Sequence, residues 1–454
     1  MFTPQALRES LSRMKTANDE RAAALADRTS LAAYAHLCTV TSDGRTVWTA
    51  ALQAALDEHE TVEIPDAPSP YYLDKPVRVP SNRRILAHHA TLRALPGTGT
   101  LLLQNAHPVS GTFSPLPHTK NDENITVDGG VWEACGNETR GGCRHEDKDA
   151  FPGVSTCFFF GSVKGLTVKN AVFRRCTGFA VQTGDAENVV FSHIRFEKCL
   201  ADGLHINGGV KNVLCRDIRG EVGDDIVALN MYDWFYSSVH FASGENILCE
   251  DIVLAPESPY KAIRLQPGVY RFPDGTTAGC HLSKVVFSHV RGIKTFKLYF
   301  QSPPYPVGGI PEGGGNGRAD DLVFEDIEAT LDAPIDLLAP YTAHDPVLGS
   351  FAVFEFGSSI GRVTLRDVHV SLDKAKTPTA YLACVGPKST RKEGKEIFDP
   401  YLSSRVETLI LQNVTVNGTG DLLRDHLKEI VFDDPYGEGA PKTGGTFGKV
   451  EVIA

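Results

Sequence analysis

Positive charge is in short supply in this sequence: 45 lysines and arginines face 56 aspartates and glutamates, a formal net charge of −11. Phosphate backbones demand a basic footprint, so nucleic acid is not an expected partner. Long hydrophobic runs are also missing. No segment approaches the ~20 apolar residues of a membrane-spanning helix, so no membrane partner is expected. The N-terminal stretch MFTPQALRESLSRMKTANDERAAALADRTSL is charged throughout and lacks the apolar centre of a secretory signal. A cytoplasmic location is therefore expected. Finally, the ten cysteines include no CxxC pair. Cys135, Cys143 and His145, in ACGNETRGGCRHEDKD, come nearest to a ligand set, but no fourth ligand stands at finger spacing. No metal and no cofactor are expected, and reduced cysteines read as small buried hydrophobes.

What the chain does have is hydrophobic content, 42%, enough for a large core and too much for disorder. At about 150 residues per domain, 454 residues would make two or three domains, unless the chain is a solenoid that grows by stacking. It repeats. A phrase of short apolar strand, polar pair and short apolar strand occurs as NITVDGGVW (124–132), GLTVKNAVF (165–173), NVVFSHIRF (188–196), NVLCRDIRG (212–220) and NILCEDIVL (246–254). It returns as KVVFSHVRG (284–292), DLVFEDIEA (321–329), RVTLRDVHV (362–370) and TLILQNVTV (408–416). Each copy reads as two period-2 strands broken by a tight polar turn. The closest copies lie 23 and 24 residues apart. Such a unit buries its apolar face only by stacking on others. The expected fold is all-β, a right-handed parallel β-helix.

The rest fits as caps and inserts. Residues 1–40 form an N-terminal helical segment, 41–418 the β-helix and 419–454, including DLLRDHLKEI, a terminal cap. ALQAALDEH (51–59) reads as an amphipathic helix closing the open end of the stack, and SPPYPVGGIPEGGGNGR (302–318) as a loop.

A further strand follows most phrases: FAVQ (179–182), LHIN (204–207), VALN (227–230), IRLQ (263–266) and LYFQ (298–301). Side chains alternate along a strand, so the apolar pairs face inward. The last position, Gln182, Asn207, Asn230, Gln266 and Gln301, reads as an amide ladder linking coil to coil. The outward position runs Ala180, His205, Ala228, Arg264, Tyr299. Asp202, Asp225 and Lys261 each stand two residues before a strand, with Asp224 beside Asp225. On coils ~4.8 Å apart these carboxylates become neighbours on one outer face. Carboxylates so placed push their pKa values apart, giving an acid beside a base, as glycosidic bond cleavage requires. Calcium binding competes as a reading of the same cluster.

The stretches ADGLHING and VGDDIVALN resemble the NTDG and GDD elements of the polygalacturonase-like glycoside hydrolases, family 28 and relatives, of the pectin lyase-like superfamily. The separation of 22 residues between Asp202 and Asp224 fits as well. The resemblance implies an oligosaccharide or polysaccharide substrate, uronic acid or galactose included. It implies Asp202, Asp224 and Asp225 as the catalytic carboxylates, Asp224 or Asp225 as the acid, Asp202 helping to hold water, and inversion at the anomeric carbon. KAIRLQ resembles the RIK element, which makes Lys261 and Arg264 substrate contacts. The family's GHG element has no counterpart, since its place reads FASGENILC, and His205 is the expected substitute. By spacing alone, carboxylates ~5 Å apart would indicate retention. Tyr232 and Trp234, in NMYDWFYSSVHF, are expected as a sugar-stacking wall. Lys297 and Tyr299 stand beside the cleft, placed to hold an anionic group. Two rivals remain: a lyase with Arg264 or Lys261 as base, and a non-catalytic carbohydrate-binding β-helix.

Overall fold

The computed structural model describes residues 2–108, 120–134, 142–145, 154–233, 239–271, 274–299, 315–332, 352–373, 375–376, 381–385, 390–392, 395–397, 404–420, 431–432 and 446–453. Nearly all strands join one sheet in which successive turns of the chain pair in parallel. One inward column runs Val213, Ile247, Val285, Leu322, Val363, Leu409 and Val450, each paired with the next. The chain is a parallel β-helix, as its repeats require. One continuous core lines its axis from Leu31 to Val416, with stacked rings such as Phe296 on Phe354 at 5.1 Å.

The repeated phrase is two strands and a turn at 124–132 and 165–173, where Asp122–Asp128 is followed by Val131–Glu133 and Thr156–Lys169 by Val172–Arg174, but later copies differ. Lys211–Gly220, Gly244–Leu254 and Leu282–Ile293 are each one continuous strand. Each is bent at single left-handed residues: Asn212 and Asp217, Asn246 and Asp251, Lys284 and His289. Asn and Asp tolerate that conformation because their short side chains bond locally. In these three copies the polar pair is thus a one-residue corner. The first corner also carries an amide ladder: Asn212 Nδ2 donates to Asn188 Oδ1 at 2.9 Å, and Asn246 Nδ2 to Asn212 Oδ1 at 3.1 Å.

Helix α1 (Pro4–Ala24) lies along the outside of the stack. Its Leu7 and Leu11 cover an outer stripe of Leu214, Leu248, Val286 and Val323. Arg8 pairs with Glu325. Helix α2 (Thr49–Glu58) turns Ala51, Leu52, Ala55 and Leu56 onto the first rungs and closes that end. Among the described residues no helix is long and apolar enough to cross a membrane. Thr446–Ile453 pairs in parallel with Arg405–Val416, carrying the stack past residue 418. DLLRDHLKEI and most of 302–318 lie outside the described residues.

Candidate active site

The site forms where short strands from consecutive rungs lie side by side. Leu204–Asn207 pairs with Asp225–Asn230, which pairs with Ala262–Gln266, which pairs with Thr295–Tyr299. Asp202 sits just before the first of these, and Asp224 just before the second. The register departs from the β-ladder between Asp225 and Ala228, which loosens the corner carrying the adjacent aspartates. One carboxylate oxygen each of Asp202, Asp224 and Asp225 lies within 4.8 Å of the other two. Residues 22 apart in sequence are brought together by one coil of the helix.

Their surroundings differ. The side chains of Asp202 and Asp225 are 5% and 1% exposed, that of Asp224 17%. Burial pushes the Asp225 carboxyl up to about 7; Asp224 and Asp202 add to the rise, while Arg264 and Lys297 hold it back. Burial and Asp224 also raise Asp202, against the pull of His205 and Arg264. The cluster therefore retains a proton near neutral pH, shared among coupled groups.

Three cations face these acids. Arg264 Nε lies 2.8 Å from Asp225 Oδ2, and its Nη2 lies 3.8 Å from Asp224 Oδ1. His205 donates or accepts through Nδ1 to Asp202 Oδ2 and through Nε2 to Asp233 Oδ2, both at 2.6 Å. Burial works against charge on that imidazole, yet Asp233 and Asp202 outweigh it and raise His205 to about 9. Its ring stacks on Phe179 at 3.8 Å and 8°. Lys297 pairs with Arg264 in register and is fully buried, with Nζ 3.5 Å from the centre of the Tyr260 ring.

Several expected positions shift. Gln182 rather than Ala180 is the register partner of His205, and Lys297 rather than Tyr299 follows Arg264. Two residues of slip keep the same face outward, because side chains alternate with period 2. The amide ladder survives in part: Gln182 Nε2 donates to Asn207 Oδ1 at 3.0 Å, but Asn207 Nδ2 turns to the Asn230 carbonyl and to Asp233. Gln301 and Trp234 lie outside the described residues, as does the side chain of Tyr299.

Tyr232 does not form a sugar-stacking wall. Its ring is fully buried, 5.3 Å from that of Phe241 and 6.3 Å from that of Tyr270, and an enclosed ring offers no face to a sugar. Lys261 stands one rung from Asp224 in register, yet among the described residues it pairs with none of the three carboxylates. It lines a neighbouring groove of about 630 Å³ with Lys294, Glu328, Asp332 and His369. Arg264 is tied to Asp225, with its side chain 13% exposed. Asp233 is the residue that spacing did not reveal. It lies in the aromatic-rich insert, and only its position just after the Asp225 strand could have pointed to it.

No protein-family model and no curated protein sequence matches the chain. Among solved structures it is similar to an endo-xylogalacturonan hydrolase from Aspergillus tubingensis, at 13% identity and TM-score 0.51, covering 94% of this chain and 100% of that one. A tailspike protein of E. coli bacteriophage HK620, in complex with a pentasaccharide, is similar at 13% identity and TM-score 0.50. That match covers 94% of this chain and 65% of the tailspike. The fold it shares with both is the parallel β-helix.

Proposed function

We propose that this protein is a glycoside hydrolase that cleaves an oligosaccharide or polysaccharide by carboxylate acid/base catalysis with inversion. The observation that carries the reading is the clustering of Asp202, Asp224 and Asp225, with Asp225 raised to about 7. A shared proton beside an ionised carboxylate supplies both acid and base near neutral pH. The fold is shared with a polysaccharide hydrolase and a pentasaccharide-bound tailspike, which makes glycans the first substrates to test.

Asp225, raised to about 7, holds the shared proton, and Asp224, with the most exposed side chain of the three, passes it to the glycosidic oxygen. Asp202 and Asp225 face each other across adjoining rungs, the Asp225 amide donating to Asp202 Oδ1 at 3.3 Å. Asp202, the member held ionised, takes up the proton of the attacking water. Oxygens this close fit the spacing usual for retention. Burial argues the other way: a covalent intermediate needs a carboxylate that reaches the anomeric carbon, and Asp225 is 1% exposed. Direct attack by a water that Asp202 activates inverts the anomeric carbon.

The lyase reading is disfavoured by the Arg264 pair. A guanidinium 2.8 Å from Asp225 is held in its cationic form, the opposite of what a base needs. The test is a panel of oligosaccharides and aryl glycosides with EDTA present, following reducing sugar and near-ultraviolet absorbance. Wild type is expected to release reducing sugar without absorbance, with NMR showing the inverted anomer first. Asp224→Asn is expected to lower kcat by about 10²-fold or more. Absorbance abolished by EDTA would replace the hydrolase by a lyase.

A further inference from the structure

We propose that Asp233 and His205 act as one positioning unit that holds Asp202 fixed and ionised, an inference resting on the hydrolase reading above. The geometry is a buried chain: Asp233 Oδ2, His205 Nε2, His205 Nδ1 and Asp202 Oδ2, with both links at 2.6 Å. All three residues are at most 4% exposed. An imidazole bridging two carboxylates donates through both nitrogens only when protonated. Burial without compensation would discharge it, so two anions are the physical condition for the cation to persist.

Every packed element bears on this chain. From the preceding rung come Gln182, the register partner of His205, and Phe179, stacked on its face. From the following rung comes Ala228, small enough to leave the ring room. Asn207 Nδ2 donates to Asp233 Oδ2 at 3.0 Å and fixes that carboxylate from its own strand. The charged groups acting on Asp202 are Asp224, which opposes its ionisation, and His205 and Arg264, which favour it. Arg264 is itself committed to Asp225 at 2.8 Å. His205 is thus the cation in direct contact with Asp202, and Asp233 is what keeps it one. The aromatic stack and the short links leave the Asp202 carboxylate one orientation, with Oδ1 toward the Asp225 rung. Its effect on hydrolysis would run through Asp202, so His205 and Asp233 are positioning residues.

The experiment uses the full chain with 13C label in histidine rings and aspartate carboxyls, comparing wild type, Asp233→Asn and His205→Gln by NMR titration. Wild-type His205 is expected to titrate near 9 and to fall by at least about one pH unit in Asp233→Asn. The Asp202 midpoint is expected to rise by at least about one pH unit in His205→Gln. For hydrolysis, both variants should lose about tenfold or more in kcat with KM nearly unchanged. A wild-type His205 at its ordinary value, or an Asp202 midpoint that stays put in His205→Gln, overturns the proposal. Should a variant unfold, the wild-type titration of His205 still decides. A wild type that titrates as expected yet hydrolyses no glycan upholds the ionic unit and overturns the hydrolase reading instead.

Discussion

At the scale of single residues, the site gives up stability for chemistry. Asp225 is raised from 3.8 to about 7 by burial, so the folded state holds a proton there that the unfolded chain releases. The stability this contributes is full below pH 3.8 and is lost as pH rises through about 7. Thermal melts of wild type should therefore show a midpoint that falls between about pH 4 and pH 7 and levels off above that. Asp225→Asn cannot ionise, and its melts should be flatter over that range while hydrolysis is lost. An equally steep fall in the variant would move the cause to another group. His205 gives a second window: raised to about 9, it favours the fold below pH 6.5 and stops doing so as pH passes 9.

At the scale of elements, two devices support the rungs. The corners depend on left-handed residues, with Asn212 at φ 57° as an example. Asn212→Val would force a β-branched residue into that region and remove two ladder hydrogen bonds. The expected cost is about 2 kcal/mol by urea unfolding, against a smaller loss for Asn212→Gly, which keeps the backbone relaxed. The other device is helix α1. Leu214, Leu248, Val286 and Val323 face outward on successive rungs and would meet water without it. Leu11 is 1% exposed, so Leu11→Ala should loosen the helix by about 2–3 kcal/mol. Limited proteolysis should then cut within residues 1–26 well before it cuts wild type. Equal protection in both would mean that Arg8 and its pair with Glu325 dock the helix without the leucines.

The whole molecule is a stack in which each rung touches its neighbours, so energetics are close to one-dimensional. The site rungs, from Leu204 to Gln266, lie several rungs from Thr446–Ile453. Deleting residues 446–454 should leave hydrolysis within about twofold, while baring the strand edge of Arg405–Val416 to self-association. Light scattering and kinetics on the same sample separate the two effects. Loss of activity in the monomeric fraction would mean that the stack is more cooperative than its contacts indicate.

The repeats alone determined the fold, because an apolar face that a single coil cannot bury leaves stacking as its only outlet. The adjacency of Asp202, Asp224 and Asp225 followed from the same repeat, since one coil length converts sequence spacing into contact. Alternation with period 2 fixed which face each strand residue takes, and that survived a register slip of two. Tertiary structure alone decided the rest. Register between Arg264 and Lys297 depends on corner geometry, which has no periodic signature. Tyr232 turned inward because an insert packs where space is left, and aromaticity by itself carries no direction. Asp233 reached His205 through that insert, whose path nothing periodic controls. Repeats are read from sequence because each copy constrains the next; an insert occurs once, and only packing places it.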